Sequence, residues 1–228
     1  MDRKNWIIEQ LSNSITSERM DKFRMRVKNR TRHITVVLEN IYQPHNAAAV
    51  LRSCDGFGVQ DAHIIENGNR FVPNKDVDMG ASKWLTLHRY NERKNNTESA
   101  IKEIKKKGYK LVALASHAEK SIVDISVKEP IALIFGTEMV GLSDEAYSNA
   151  NEVLKIPMYG FSESFNISVS VAITLFALTE KIRQTEKLHW ALSNLEQQEV
   201  LQNWLLSSFS EPEILLSDLN RKFDSLHS

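Results

Sequence analysis

Three stretches of the chain place residues able to do chemistry next to glycines or helix-capping residues that could present them. In ENIYQPHNAAAVLRSCDGFGV, Asn46 opens a helical pattern and Arg52 interrupts an alanine-rich apolar run, where a guanidinium wants an anion. A structural account fits as well, with Asn46 as an N-cap and Arg52 paired to Asp55 at i, i+3 for roughly a few tenths of a kcal/mol. In IFGTEMVGLSDE, an apolar run opens into Gly136, Glu138 and Gly141 before a helix capped by Ser143. Glycines there let a ligand approach the backbone closely; helix capping explains Ser143 and the glycines, but not Glu138 between them. In IPMYGFSESFNISVSVAI, the residues Pro157, Gly160, Ser162, Ser164 and Asn166 crowd the entrance to a long apolar helical pattern. Ser164 or Asn166 could equally serve the free N–H groups of that helix.

Other chemistries fail on single residues. Gly136 and Gly141 have the glycine spacing of a phosphate-binding loop, but Leu142 stands where the essential lysine belongs. Gly56, Phe57 and Gly58 begin like a dinucleotide fingerprint, yet Asp61 replaces the third glycine and a helical pattern precedes them. No GxSxG elbow occurs, which leaves a serine hydrolase without support. Cys54 is the one cysteine, so an internal disulfide or a thiolate-rich zinc site is excluded. The seven histidines show no HExxH spacing, and no metal is predicted.

The elements that must position these segments alternate. Apolar and β-branched runs at His33 to Leu38, Ala62 to Glu66, Trp84 to Leu87, Tyr109 to Leu114, Ile131 to Phe135 and Glu152 to Ile156 read as strands. Between them lie helical patterns near Asn46 to Asp55, Thr97 to Lys107 and Asp144 to Ala150. Short strands that are nearly continuous apolar runs, such as IALIF, imply a parallel sheet covered on both faces, whose ligands bind beyond the carboxyl ends of the strands. A helical region to about Asn29 precedes the sheet; helices near Asn166 to Gln184, Ser193 to Leu206 and Glu211 to Leu219 follow it. With 228 residues, 42% hydrophobic and 25% charged, the composition is that of a globular protein with one sizeable core. The longest uncharged stretch, Ser164 to Thr179, is too short and too polar to span a bilayer, and the first residues lack a secretory pattern, so a cytoplasmic protein without membrane contact is expected.

Lysines and arginines total 29, as do aspartates and glutamates, but the balance hides an asymmetry. Arg19, Lys22, Arg24, Arg26, Lys28, Arg30 and Arg32 are opposed only by Asp21 within their segment, whereas acids dominate from Leu195 onward. Clustered cations of this kind displace counterions from a nucleic-acid backbone. The structural alternative is a solvated helix whose Phe23 and Val27 dock on a core.

Taken together, NxxxxxR at Asn46 and Arg52, FGxExxGLS from Phe135 to Ser143 and IPMxGFxxSxNxSVxxAI from Ile156 resemble the motifs of the SpoU, or TrmH-like, branch of the SPOUT methyltransferases. The resemblance runs from about His33 to Arg183, leaving a basic helical extension at 1–32, a methyltransferase domain at 33–184 and a helical extension at 185–228. It implies a SPOUT α/β fold: a mostly parallel sheet covered by helices, with a C-terminal trefoil knot, working as a homodimer. It also implies an S-adenosylmethionine pocket including Ser116, Gly136, Ile156, Met158 and Phe165, and methyl transfer to a ribose 2′-hydroxyl of RNA, with tRNA as the partner and no metal. Arg52 would activate the hydroxyl, assisted by Asn46, Glu138, Ser164 and Asn166. Because guanidinium stays protonated in nearly every protein setting, a phosphate anchor that also eases the developing alkoxide is the physically simpler role for Arg52. Ribosomal RNA as substrate and a scaffold without catalysis are the alternatives. Under the methyltransferase reading the segment Arg19 to Arg32 contacts the tRNA backbone. Charge reversal at Arg24 and Arg26 is then expected to weaken tRNA binding and flatten its salt dependence without touching cofactor binding, as measured by filter-binding titration.

Overall fold

The computed structural model describes residues 2–72, 74–137 and 140–227. In chain order the elements are α1 (Arg3–Ser12), α2 (Ser17–Val27), β1 (Ile34–Glu39), α3 (Pro44–Phe57), β2 (Asp61–Ile65), α4 (Lys75–Asp78) and β3 (Thr86–Tyr90). They continue with α5 (Thr97–Lys106), β4 (Lys110–Leu114), β5 (Lys120–Ser121), β6 (Ile131–Phe135), α6 (Asp144–Ser148), β7 (Glu152–Lys155), α7 (Ile167–Gln184), α8 (Asn194–Leu206) and α9 (Pro212–His227). The chain forms two compact units, one of Met1–Arg30 with Ala191–Ser228 and one of Thr31–Trp190.

The first unit is helical. Met20, Phe23 and Val27 recur at one face of α2 and are buried, as are Ile7, Ile8 and Leu11 of α1 and Val200, Trp204 and Leu205 of α8. Phe23 meets Trp204 edge to face at 5.8 Å. Three of the unit's helices start on a side-chain acceptor: Asp2 for α1, Thr16 for α2, and a full Ser193 and Glu196 capping box for α8. The cations of α2 divide. Lys22, Arg24, Arg26 and Lys28 are exposed, with Lys22 paired to Glu18 at 2.7 Å. Arg30 instead lies buried with its guanidinium 5.0 Å from the Trp204 ring.

In the second unit seven parallel strands run in the order β3-β2-β1-β6-β4-β7-β5. Every residue of β1, β2 and β6 is buried, which is why these strands read as unbroken apolar runs rather than as alternation. Ile34, Val36 and Leu38 join the cluster beneath α3 and α7, while Val37 joins the cluster beneath α5. On α7 the core stripe is Ile167, Val171, Thr174, Leu175, Leu178 and Ile182, at helical spacing. Two expectations change: the edge strand begins at Thr86, because Trp84 closes a 3₁₀ turn, and α9 continues past Leu219. The further strand β5 is only two residues long and leaves no pattern.

Polar side chains of β2 and β3 interact with one another and with Arg32, although His63 Nε2 is buried without a hydrogen-bond partner among the described residues. Asp61 accepts from Arg32 Nε at 3.2 Å and has His88 Nε2 at 3.5 Å, so Arg32 is spent inside the unit. His63 stacks on His88 with ring centroids 4.5 Å apart, and its Nδ1 lies 2.9 Å from the Tyr90 hydroxyl. Burial, and then the neighbouring His88, push His63 down to about 3. An unfolded chain takes up this proton near pH 6.5, so the stability gained by keeping His63 neutral is complete above 6.5 and is lost progressively as the pH falls toward 3. Between pH 7 and pH 5 this amounts to about 2 kcal/mol. Thermal melts are expected to show Tm falling over that interval in the native protein and a flatter profile in His63→Phe.

Candidate active site

Because the strands are parallel, the loops after β4, β6 and β7 emerge at one edge of the sheet. They enclose a cavity of about 710 Å³. Ser116 and His117 come from the loop after β4, Gly136, Thr137 and Gly141 from that after β6, and Ile156, Met158 and the 163–166 segment from that after β7. All five residues of the cofactor set implied by the motifs, Ser116, Gly136, Ile156, Met158 and Phe165, line this one cavity. Ser164 and Asn166 do so too. Its charged lining among the described residues is acidic, Asp144 and Glu163, with no lysine or arginine. Such a chamber suits a cation and repels phosphate.

The loop after β6 is shaped by main-chain contacts. Thr137 and Gly141 exchange backbone hydrogen bonds of 3.0 and 2.9 Å, and Gly141 turns the chain with φ of 76°. Gly136 lies flat against this turn: a Cβ there would stand 2.1 Å from the Gly141 oxygen and 2.4 Å from the Leu142 nitrogen. A glycine is therefore compulsory for steric reasons, whatever its φ. Ser143 caps α6 by accepting from Ala146 N at 3.1 Å, as its position in the sequence implies. Glu138 lies outside the described residues.

Asn46 does not open α3. The helix begins at Pro44, whose missing N–H suits the first helical position, and Gln43 occupies the cap without a side-chain bond. Asn46 is buried at 4% exposure. Its Nδ2 donates to Gln43 Oε1 at 3.0 Å, and its Oδ1 accepts from Asn166 Nδ2 at 3.1 Å. Asn166 in turn caps α7 by accepting from Ser168 N at 2.8 Å. Capping and site-building are thus one function of Asn166, a combination hidden when each residue is weighed alone. Arg52 sits on α3, exposed and outside the cavity lining, with no hydrogen bond or ion pair to its guanidinium among the described residues. Residues that motif reading passed over include His117 and Tyr147, which stack 5.8 Å apart at the cavity, and Glu39, buried at the end of β1. A carboxylate directly after ITVVL was the available signal.

A doubly covered parallel sheet with a cavity of this composition at its carboxyl edge defines a class of α/β enzymes binding a compact ligand between loops. Residues 33–176 match the SpoU rRNA methylase family, and the chain belongs to it. Among curated relatives it is 36% identical over 191 residues to the tRNA (guanosine(18)-2'-O)-methyltransferase of Borreliella burgdorferi, spanning 83% of this chain and 85% of that protein. The enzyme of the same name from Thermus thermophilus is 32% identical over 164 residues, 70% of this chain and 82% of the relative. Among solved structures, the TrmH/SpoU tRNA modifying enzyme of Aquifex aeolicus aligns with TM-score 0.74 and 26% identity, over 84% of this chain and 96% of that one.

Gly136→Ala is expected to push Gly141 and Leu142 away from the sheet edge. The variant should lose about 2 kcal/mol of stability by overpacking, with faster amide exchange confined to that loop.

Proposed function

We propose that this protein transfers the methyl group of S-adenosylmethionine to the ribose 2′-hydroxyl of guanosine 18 in tRNA. The observation that carries the reading is the convergence of Ser116, Gly136, Ile156, Met158, Phe165, Ser164 and Asn166 on one acidic cavity at the sheet's carboxyl edge. The residues present fit the donor. Asp144 and Glu163 balance its positive charge, and Gly136 lets the turn at Gly141 and Leu142 pack close enough to complete the cavity wall. When bound, S-adenosylmethionine supplies a methyl already activated by the sulfonium, so the protein has to align the acceptor and help remove one proton.

Asn46 and Asn166 fix each other across α3 and α7, holding the Ser164 to Asn166 segment over the cavity mouth. Arg52 works on the acceptor strand: its guanidinium grips a substrate phosphate and offsets charge growing on the 2′-oxygen. Exposed Lys22, Arg24, Arg26 and Lys28 supply further backbone contacts to tRNA. The same reading carries a trefoil knot in the 31–190 unit, a homodimer and a place in the cytoplasm. Tyr159, Phe161, Val169 and Phe176, all exposed, favour a second copy as their cover. No helix among the described residues is long and apolar enough to cross a membrane. Both sequence relatives named above carry tRNA, not ribosomal RNA, in their names, which favours the tRNA substrate.

The test is incubation with labelled S-adenosylmethionine and unmodified tRNA or ribosomal RNA transcripts, followed by mapping of the modified nucleotide. Methylation at guanosine 18 is expected; label on ribosomal RNA alone, or no label, overturns the proposal. Arg52→Lys keeps the charge but loses the planar fork, and is expected to reduce single-turnover methylation of bound tRNA more than tenfold with donor affinity unchanged.

A further inference from the structure

We infer that Glu39 is a positioning residue for the donor cavity, setting the wall built by residues 141–147. The inference rests on the methyl-transfer reading and adds to it a residue that contributes no atom to the cavity. Glu39 ends the central strand β1 and is 3% exposed. A carboxylate buried there must be matched by donors, since an unpaired buried charge is costly. Three reach it: Ser143 N donates to Oε2 at 2.9 Å, and Ser143 Oγ and Thr97 Oγ1 each donate to Oε1 at 2.7 Å.

Those donors lie at the starts of two helices. Ser143 caps α6 and Thr97 is the first residue of α5, so the carboxylate sits where both helix dipoles favour negative charge. The network continues outward. Thr97 Oγ1 accepts from Asn67 Nδ2 at 2.9 Å, Asn67 Oδ1 accepts from Asn96 N at 2.8 Å, and Asn96 Nδ2 donates to the Glu66 carbonyl at 2.8 Å. The loops after β2, β3 and β6 are thereby referred to one point at the end of β1. Gly141, Leu142, Asp144 and Tyr147 flank Ser143 and line the cavity. Moving Ser143 moves all four, and with them the Asp144 carboxylate that faces the donor's charge.

Glu39→Gln keeps the shape but places an NH₂ group where two oxygens accepted three hydrogens, so at least one donor loses its acceptor. Thr97→Val removes one hydroxyl donor while leaving Glu39 and both bonds from Ser143. The measurements are S-adenosylmethionine and S-adenosylhomocysteine affinity by calorimetry, steady-state kcat and KM on tRNA, and Tm, with affinities taken well below each variant's Tm. For Glu39→Gln we expect the donor Kd and KM to rise about tenfold, while kcat at saturating donor and tRNA affinity stay within about twofold; Thr97→Val should shift the donor Kd about threefold. A lower Tm with unchanged donor affinity in both variants would make Glu39 merely structural and overturn the inference, leaving the methyl-transfer reading intact. Failure of the native protein to bind either donor form would overturn that reading, and this inference with it.

Discussion

Strands buried on both faces can offer polar groups to a ligand only where they end. That constraint organises the 31–190 unit. In β1 and β6 every side chain is buried, so groups open to a ligand are confined to the loops at the carboxyl edge. Parallel pairing across β1, β6, β4 and β7 brings those edges together, and residues scattered from 114 to 170 become neighbours around one cavity.

Crowding at that edge has to be stabilised without lining the chamber with cations. The protein does so with neutral amides and one buried carboxylate. Asn166 serves α7 with its oxygen and Asn46 with its nitrogen, and Glu39 collects the amide of Ser143 and two hydroxyls. The cavity itself keeps Asp144 and Glu163 as its described charges. Under the proposed methyl transfer, a positively charged donor would meet the acidic chamber, and a polyanionic acceptor would meet exposed cations such as Arg52, Arg24 and Arg26.

Some charged residues of the basic segment serve the fold instead. Arg30 covers Trp204, and Arg32 is held by Asp61, which also faces His88. A run of arginines records charge but not direction, so linear order cannot separate those that reach solvent from those that pack inward. The same limit hid the grouping of the chain's two ends, residues 1–30 and 191–228, into one helical unit.

Much of the architecture was written in local pattern. The apolar runs at β1, β2, β4, β6 and β7 and the helices α3, α5 and α7 are legible because burial on one or both faces imposes a residue period. The Ser143 cap follows from local backbone chemistry alone. The edge strand β3 leaves little apolar pattern because its His88 and Tyr90 face polar groups of β2, and Asn46, which looks like a cap, lies two residues inside α3. The amino-acid order alone therefore determined the fold class and the segments that carry the motifs. Only the tertiary structure decided that Asn46 pairs with Asn166, that Glu39 holds the wall of the cavity and that Arg52 stands outside it. The physical reason is that hydrogen bonds between residues 104 or 120 positions apart in the chain leave no periodic trace in it.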